Sequence, residues 1–307
     1  MQRRSFIKNG LTLSALALLS KSTLASFLND PTYNIKMLTD TIGVFTEKGG
    51  TILFMIGKTG NIVVDAQFPD TAQHCIEALK TKNDQPFQLL VNTHHHGDHT
   101  AGNIAFKNLV AHVVAHENSK ANQIAVAQKN KNEDKQLFPD ETYTKTWNKK
   151  FDDETLALHY FGRGHTNGDS FVHFTKANIV HVGDLVFNRR HPFVDVAGGA
   201  NITEWIQTLD KATKHFNEQT VYVCGHAGKG YDIIINKTDI VAFKTYLQNV
   251  LTVTKKAIKD GVSKADFLKN TTTIEGSPEW TGDGINRPLE AAWTELNPPI
   301  QQTTTTN

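Results

Sequence analysis

The sequence predicts an α/β fold in which two β-sheets face each other between outer helices and are related by an internal pseudo-twofold. Two observations carry this prediction. First, the order strand, turn, strand, helix, strand occurs twice along the chain. Second, each strand pair ends in an aspartate with a phenylalanine three residues later, at Asp65 and Phe68 and again at Asp184 and Phe187. We therefore expect the functional site at the seam between the halves, at one edge of the two sheets.

The apolar runs place the elements of each half. Two runs on either side of a short polar turn are typical of a β-hairpin, and an amphipathic stretch followed by a third apolar run predicts a helix and a further strand. The predicted strands are 51–56, 61–65 and 87–91, then 170–174, 178–184 and 221–224, and the predicted helices are 71–82 and 202–215.

Three further segments complete the predicted body of the chain. The region 115–143 is predicted to be helical and then polar and lysine-rich, as expected for a solvated insert that could roof the cleft. Helical patterns cover 240–259 and 263–269. We expect one domain over residues 26–295 and a disordered, threonine-rich tail over 296–307.

The segment from Thr93 to His99 concentrates four imidazoles and a carboxylate directly after an apolar strand. Because side chains alternate along an extended chain, His94 and His96 should point the same way. Gly97 permits a turn that brings Asp98 and His99 round beside them. Imidazole and carboxylate are ligands that zinc and its neighbours accept, so this loop is predicted to begin two adjacent metal sites.

At these residues the chain resembles the metallo-β-lactamase-fold hydrolases, including the glyoxalase II-like and β-lactamase-like members. His94-x-His96-x-Asp98-His99 matches their HxHxDH signature. Three later segments match the family's other motifs in the expected order: Gly162-Arg163-Gly164-His165-Thr166, Gly183-Asp184-Leu185-Val186-Phe187 and Gly225-His226-Ala227-Gly228. The resemblance covers roughly residues 33–230 and implies a four-layer αββα sandwich.

The resemblance also implies a dinuclear metal site, with two zinc ions expected and iron or manganese as other candidates. The implied ligands are His94, His96 and His165 for the first ion, Asp98, His99 and His226 for the second, and Asp184 as a bridge. Asp98 is also the expected catalytic group, because its carboxylate can hold and orient the attacking water. Six other histidines are expected to be non-ligands: His95, His112, His116, His159, His173 and His181.

Two metal ions about 3.5–4 Å apart can share a water and lower its pKa to around 7. The expected reaction is therefore metal-assisted hydrolysis of an ester, thioester, lactone or amide in a small-molecule substrate. Three alternatives stay open: β-lactam hydrolysis, a mononuclear iron oxygenase of the persulfide dioxygenase type, and non-catalytic metal binding. Asp184 weighs against the first, because β-lactamases of the family usually carry Cys or Ser there.

Four more residues are candidates for supporting roles. Asp65 and Asp169 could each orient a ligand histidine by accepting its second N–H, or could simply cap strand ends. Arg189 and Arg190, followed by His191, could bind an anionic group of the substrate, or could form a solvated basic turn.

Composition and termini limit the remaining possibilities. A formal net charge of +1 over 307 residues offers no basic footprint for nucleic acid, and two cysteines cannot form a disulfide framework. Residues 1–25 resemble a twin-arginine signal peptide, with Arg3 and Arg4 before an apolar stretch too short to span a bilayer. We expect the twin-arginine export machinery as a partner, a periplasmic or secreted location, and no stable membrane span after cleavage; an uncleaved signal anchor is the alternative.

Overall fold

The computed structural model describes residues 33–298. The predicted signal peptide and the last nine residues of the tail lie outside the described residues. Residues 35–298 belong to one compact unit. No helix within residues 33–298 is long and apolar enough to cross a bilayer.

Two β-sheets form the centre of the described part of the chain. The first has seven strands in sequential order: β1 (Asn34–Met37), β2 (Ile42–Thr46), β3 (Ile52–Ile56), β4 (Asn61–Val64), β5 (Phe87–Asn92), β6 (Val110–His116) and β7 (Glu141–Tyr143). The second has six, in the order β13-β12-β11-β10-β9-β8: β8 (Thr146–Phe151), β9 (Glu154–His159), β10 (Phe171–Phe174), β11 (Ile179–Asn188), β12 (Val221–Ala227) and β13 (Ile234–Ile235).

Seven α-helices accompany the sheets within residues 33–298. They are α1 (Pro69–Lys82), α2 (Gly97–Thr100), α3 (Glu117–Asn130), α4 (Ile202–His215), α5 (Lys237–Lys259), α6 (Lys264–Asn270) and α7 (Asn286–Leu296). Two 3-10 turns cover Ala101–Phe106 and Glu133–Lys135. Helix α4 begins where Asn201 caps it, because the Asn201 side chain accepts from the backbone N–H of Glu204 at 2.8 Å.

The internal repeat predicted from the sequence is present in the strand pairing. Strands β3 and β4 are antiparallel, and β5 then runs parallel to β4 after helix α1. Strands β10 and β11 repeat this arrangement, with β12 parallel to β11 after helix α4. The parallel strands of each half end at the same edge of their sheet. The histidines and aspartates predicted to be metal ligands lie at this edge.

Alternating side chains build two apolar layers. Leu53 and Met55 of β3 face Val172 and Phe174 of β10 in a core between the sheets. On the other side of the second sheet, a larger core includes the fully buried Trp205 of α4 together with residues of α5 and α7. Helix α1 buries its own apolar face, including Cys75. The predicted four-layer αββα sandwich is therefore confirmed.

The region 115–143 departs from its prediction. It opens on the end of strand β6, and helix α3 starts only at Glu117. Asn118 Nδ2 of this helix donates to the Asn167 carbonyl oxygen at 2.8 Å, so the insert lies against the loop that carries His165. No residue of α3 lines the cavity above the metal centre described below, so the expectation of a roof is wrong.

Candidate metal centre

The loop after β5 presents its histidines as the alternation predicts. The strand ends at Asn92, and the chain stays extended until α2 begins at Gly97. His94 Nε2 lies 3.1 Å from His96 Nδ1, so both nitrogens point at the same small volume. Helix α2 then turns Asp98 and His99 towards a neighbouring volume.

A first set of four donors converges from both sheets. His165, in the loop between β9 and β10, places its Nε2 2.8 Å from His96 Nδ1. Asp184 of β11 places its Oδ2 3.5 Å from His165 Nε2 and 4.0 Å from His94 Nε2. The donor atoms of these four residues all lie within 4.8 Å of one another, a spacing that one metal ion can bridge.

A second set lies directly beside the first. His226 Nε2 of β12 is 3.0 Å from Asp98 Oδ2, and His99 Nε2 is 3.8 Å from the same oxygen. Asp184 belongs to this set as well: its Oδ1 is 3.1 Å from His99 Nε2 and its Oδ2 is 3.5 Å from His226 Nε2. The structure therefore brings together all seven residues named as ligands from the sequence, with Asp184 between the two sets.

Two orphaned atoms indicate that a cation belongs in this centre. Asp184 Oδ1 and His99 Nε2 are buried 3.1 Å apart, and neither makes a hydrogen bond of good geometry with any other group. An unpaired buried polar atom is costly, and coordination to a metal ion would relieve the cost for both. The donor set of imidazole nitrogens and carboxylate oxygens suits zinc and also accepts iron or manganese. The residues present thus fit two divalent ions.

Burial and neighbouring charge set the protonation of the centre. Burial would raise the pKa of Asp184, but His226, His99 and His165 outweigh it and hold that pKa well below its usual range. Burial and the nearby His96 lower the pKa of His165 to about 3. His165 is therefore neutral at physiological pH, which is the form that binds a metal ion.

His99 differs from His165 because it lies between two carboxylates. Burial alone would lower its pKa, but Asp184 and Asp65 outweigh burial and raise that pKa well above its usual value. In the metal-free protein His99 therefore holds a proton that a metal ion must displace.

The ligand histidines are held from behind by hydrogen bonds to their other ring nitrogen. Asp65 accepts from His99 Nδ1 at 2.7 Å and is itself held by the Thr93 backbone N–H and hydroxyl, each at 2.8 Å. The His165 Nδ1–H donates to the Phe193 carbonyl oxygen at 2.8 Å. Such contacts fix the ring plane and the tautomer of a ligand.

Asp195 plays the same part for His96, and sequence reasoning missed it. Its Oδ2 lies 2.9 Å from His96 Nε2 and 3.2 Å from His95 Nε2. Burial would raise the pKa of Asp195, but hydrogen bonds from these two histidines and from Gly198 N–H lower it far below its usual range. No motif marks Asp195, because it lies in the irregular segment 189–201.

Asp169 does not orient a ligand histidine, contrary to one of the readings of the sequence. Its two oxygens accept from the backbone N–H and the hydroxyl of Thr166, each at 2.7 Å. Burial raises the pKa of Asp169 to about 6, although these two hydrogen bonds oppose the shift. Asp169 therefore closes the tight loop that follows His165.

Two glycines form the walls of the slot that contains the His99 ring. A Cβ atom on Gly50 would overlap the His99 ring. A Cβ atom on Gly225 would overlap Asp184 Oδ1 and lie 2.9 Å from His99 Cε1. Only glycine fits at either position without displacing a metal ligand.

A cavity of about 320 Å³ opens above the centre. Its wall includes Asp98 and His165 together with Phe187, Phe193 and Arg190. Arg287, which sequence reasoning did not single out, also lines it. Arg189 does not: its Nη1 lies 2.8 Å from Asp239 Oδ1, and its guanidinium lies 5.0 Å above the Trp280 ring. The substrate-binding expectation for Arg189 is therefore wrong, because this side chain anchors α5.

The six histidines expected to be non-ligands have varied environments. His112 Nδ1 pairs with Asp140, His116 caps α3, and His181 Nε2 donates to the Thr51 carbonyl oxygen at 2.9 Å. His95 contacts Asp195, while His159 and His173 lie on the second sheet away from the centre, near His215.

Comparisons with known proteins agree with this architecture. The family model described as "Metallo-beta-lactamase superfamily" matches residues 46–226, which is more than half of the chain. A curated relative, metallo-beta-lactamase IND-1 of Chryseobacterium indologenes, is 22% identical over 202 residues, covering 65% of this chain and 81% of that protein.

Two solved structures share the fold. A metallo-beta-lactamase from Pontibacter korlensis superposes with a TM-score of 0.61 and 19% identity, over 71% of this chain and 99% of that one. The sec-alkylsulfatase Pisa1 from Pseudomonas sp. superposes with a TM-score of 0.67 and 11% identity, over 86% of this chain and 50% of that one. The sandwich, the two donor sets and the match to the family model together establish that this chain belongs to the metallo-beta-lactamase superfamily.

Proposed function

We propose that the chain is an exported hydrolase that uses two zinc ions to cleave an ester, thioester, lactone or amide of a small molecule. The observation that supports this most strongly is the position of Asp184. Its carboxylate lies between two donor sets, and its Oδ1 and His99 Nε2 are buried 3.1 Å apart with no other hydrogen-bond partner. A single metal ion would leave one complete donor set unused.

The chain's own residues assign the roles in this proposal. Two divalent ions held here would supply Lewis acidity and water with a pKa near 7. Asp98 is one-third exposed and faces the cavity. Burial would raise the pKa of Asp98, but the hydrogen bond from His226 outweighs it and lowers that pKa. Asp98 is therefore ionised at neutral pH, can orient the attacking water and can accept its proton.

The aromatic residues at the mouth shape access to the centre. Phe187 is buried and lies against the His226 ring, with 5.7 Å between ring centroids. Phe193 is 44% exposed and lies 5.5 Å from the His96 ring. An apolar rim favours a substrate with an apolar part and limits the bulk water beside the reacting atoms.

The decisive experiment combines metal content with a substrate panel. We expect about two metal ions per chain in protein purified without chelator, and turnover of at least one of a thioester, a lactone, an aryl ester and an amide. His96→Ala and His226→Ala should each lose an ion and most of the activity. His112→Ala, which alters a surface histidine paired with Asp140, should keep both ions.

Each other result points to a different function. Full loading without turnover on any substrate would support non-catalytic metal binding. One iron per chain, with consumption of oxygen and a persulfide, would support the oxygenase alternative. Two ions retained in both alanine variants would contradict the ligand assignment.

β-Lactam hydrolysis is a second candidate, favoured by the similarity to IND-1 over 81% of that protein's length. A carboxylate at position 184 weighs against it, as does the low identity of 22%. A cephalosporin and a carbapenem belong in the panel for this reason. A secondary alkyl sulfate belongs there too, because Pisa1 shares the fold and is named for that substrate class.

The proposal includes export, which rests on the sequence of residues 1–25. Replacement of both Arg3 and Arg4 by lysine should leave the uncleaved precursor in the cytoplasm, as cell fractionation and the N-terminal sequence of the product would show. Export of that variant at the normal rate would show that the segment is a general secretory signal.

A further inference from the structure

The arginines of the described residues fall into two groups. Arg163 and Arg189 each have a carboxylate partner, with Arg163 Nε 2.9 Å from Glu204 Oε2 and Arg189 Nη1 2.8 Å from Asp239 Oδ1. Arg190 and Arg287 have no ion-pair partner within residues 33–298. The two unpaired arginines are also the two that line the cavity above the metal centre.

Nearby acids have other partners. Asp98 and Asp184 line the same cavity, but they contact His226 and His99 of the metal centre. Asp239, which pairs with the neighbouring Arg189, is unavailable to Arg190. Glu290 follows Arg287 by one helical turn in α7, but its Oε1 lies 2.8 Å from Lys264 Nζ instead. Arg190 and Arg287 are therefore the cations of this cavity wall that remain available to a bound anion.

The backbone around both arginines is anchored to the second sheet. A β-bridge joins Arg190 to Thr281. The indole N–H of Trp280 donates to the Phe187 carbonyl oxygen at 3.3 Å, which ties the segment before α7 to the strand that carries Asp184. This segment also places Arg287 in the first turn of α7. The backbone that carries the two arginines is thus fixed, and only their side chains remain to be ordered on binding.

We propose that Arg190 and Arg287 form a carboxylate-binding clamp, so that the substrate is an anion that carries the scissile bond and an apolar portion. This deepens, and rests on, the hydrolase function proposed above. The planar guanidinium matches a carboxylate through paired N–H donors, which an ammonium group cannot reproduce. Phe193, exposed at the same cavity, contacts the apolar portion.

Arg287 is the more informative half of the clamp. It lies outside residues 46–226, the part of the chain that matches the family model. The specificity of the site is therefore determined in part by a helix that follows the superfamily core. The carboxyl group would lie towards α7 and the scissile bond towards Asp98.

The test uses two esters that differ in one group. 4-Acetoxybenzoate and 4-methylphenyl acetate share the acetyl ester and the ring, but only the first carries a carboxylate. Arg287→Gln and Arg190→Gln should each lower kcat/KM for 4-acetoxybenzoate by about tenfold, mainly through KM, as for loss of one charge-assisted hydrogen bond. Both variants should lower kcat/KM for the neutral ester much less, so that the preference for 4-acetoxybenzoate over the neutral ester falls.

Lys264→Gln serves as the matched control, because it removes a cation that contacts α7 without lining the cavity. It should change neither rate. Equal losses on both esters in the arginine variants would overturn the clamp, since the arginines would then support the fold rather than the anion. Unchanged rates on 4-acetoxybenzoate would overturn it as well.

A binding measurement separates this inference from the proposed function. If the zinc-loaded protein hydrolyses neither ester, calorimetry with benzoate on wild type and on the Arg190→Gln, Arg287→Gln double variant decides the question. Binding that weakens at least about tenfold in the double variant would support the clamp while the hydrolase proposal fails. Equal binding to both proteins would overturn the clamp.

Discussion

Asp65 and Asp184 occupy corresponding places in the two halves but have opposite surroundings. Asp65 directly follows β4, whereas Asp184 lies within β11, and both are buried, at 0% and 5% exposure. Asp65 receives hydrogen bonds from the Thr93 N–H, the Thr93 hydroxyl and His99 Nδ1. Asp184 Oδ1 instead lies 3.1 Å from His99 Nε2 with no other hydrogen-bond partner. The repeat therefore supplies two buried carboxylates. Asp65 positions the ligand His99, whereas Asp184 lies where it can itself coordinate metal.

The backbone explains the difference. Strand β4 ends at Val64, and Asp65 then adopts a left-handed conformation with φ of 63°. Strand β11 continues past Asp184 to Asn188, and its pairing with β12 shifts register on either side of Gly183. An irregularity of this kind redirects a side chain next to an active site. The different strand geometry thus accompanies the difference between a carboxylate that supports His99 from behind and one that faces both donor sets.

The largest expected effect comes from Asp184→Ser, which removes the charge and an oxygen shared by both donor sets. We expect kcat/KM on a thioester or ester to fall about tenfold to a hundredfold, the range typical of disturbed metal ligation. Metal content should drop towards one ion per chain. If the variant keeps wild-type rates and two ions, Asp184 is not a metal ligand and its role does not differ from that of Asp65.

Asp65→Asn should have a smaller effect, because it alters a contact behind a ligand rather than a ligand. The amide can still accept from Thr93 but no longer stabilises His99 through a full negative charge. We expect affinity at the second metal position to fall about tenfold, measured by competition with a chromophoric chelator. Asp169→Asn is the control, because Asp169 contacts Thr166 rather than a ligand nitrogen. An equal loss of metal affinity in the Asp169→Asn variant would show that the contact of Asp65 with His99 is not what supports metal binding.

The glycine walls allow a test in which no polar group is changed. Gly50→Ala should displace the His99 ring and weaken the second metal position by about tenfold, near the low end of the 1–3 kcal/mol cost of overpacking. Gly97→Ala lies in the motif itself, yet its Cβ atom would meet nothing within 4 Å. The metal content of the two variants shows whether steric overlap with the His99 ring, rather than mere closeness to the metal centre, weakens metal binding. Similar losses in both variants would contradict the role of Gly50 as a wall of the slot.

The smallest effect concerns the histidines that lie away from the centre on the second sheet. Burial, with His215 and His173 nearby, lowers the pKa of His159 to about 4. Folding therefore disfavours its charged form. The stability it contributes is complete above about pH 6.5 and is lost as the pH falls towards 4.

His159→Gln should remove part of that acid sensitivity. We expect the decline in the free energy of unfolding between about pH 6.5 and 4 to shrink by about 1–2 kcal/mol, less than full conversion of the shift because the ring is partly solvent-screened. Urea unfolding of metal-free protein at several pH values would measure it. A parallel decline in wild type and variant would rule out this contribution.

The sequence predicts the centre of this molecule better than its margins. The two hairpins, helix 202–215 and the strands that lead to histidines follow from apolar periodicity, because those strands are buried on both faces. Strand β8 was not predicted because four of its six residues, including Lys149 and Lys150, are exposed. Helix α7 was not predicted either, since Pro288 and the glycines before it indicate a loop.

The same division applies to the site. Four of the expected ligands lie in one six-residue motif, so local alternation is enough to group them. Asp195 contacts His96 across 99 positions of sequence. Arg287 lines the cavity from a helix that follows Trp280, whose indole N–H donates to the Phe187 carbonyl oxygen. Contacts of this kind depend on how the sheets and the later helices meet, and no local pattern carries that information.

The slot between Gly50 and Gly225 has a consequence for how the centre acquires its metal. Because Gly50 and Gly225 pack so closely on the His99 ring that neither position has room for a Cβ atom, the direction of His99 Nε2 is set by the fold. The second position is therefore preorganised, and little conformational entropy remains to be lost on coordination. Its cost is instead the proton that Asp65 and Asp184 keep on His99. Metal affinity at this position should accordingly rise with pH as His99 loses its proton.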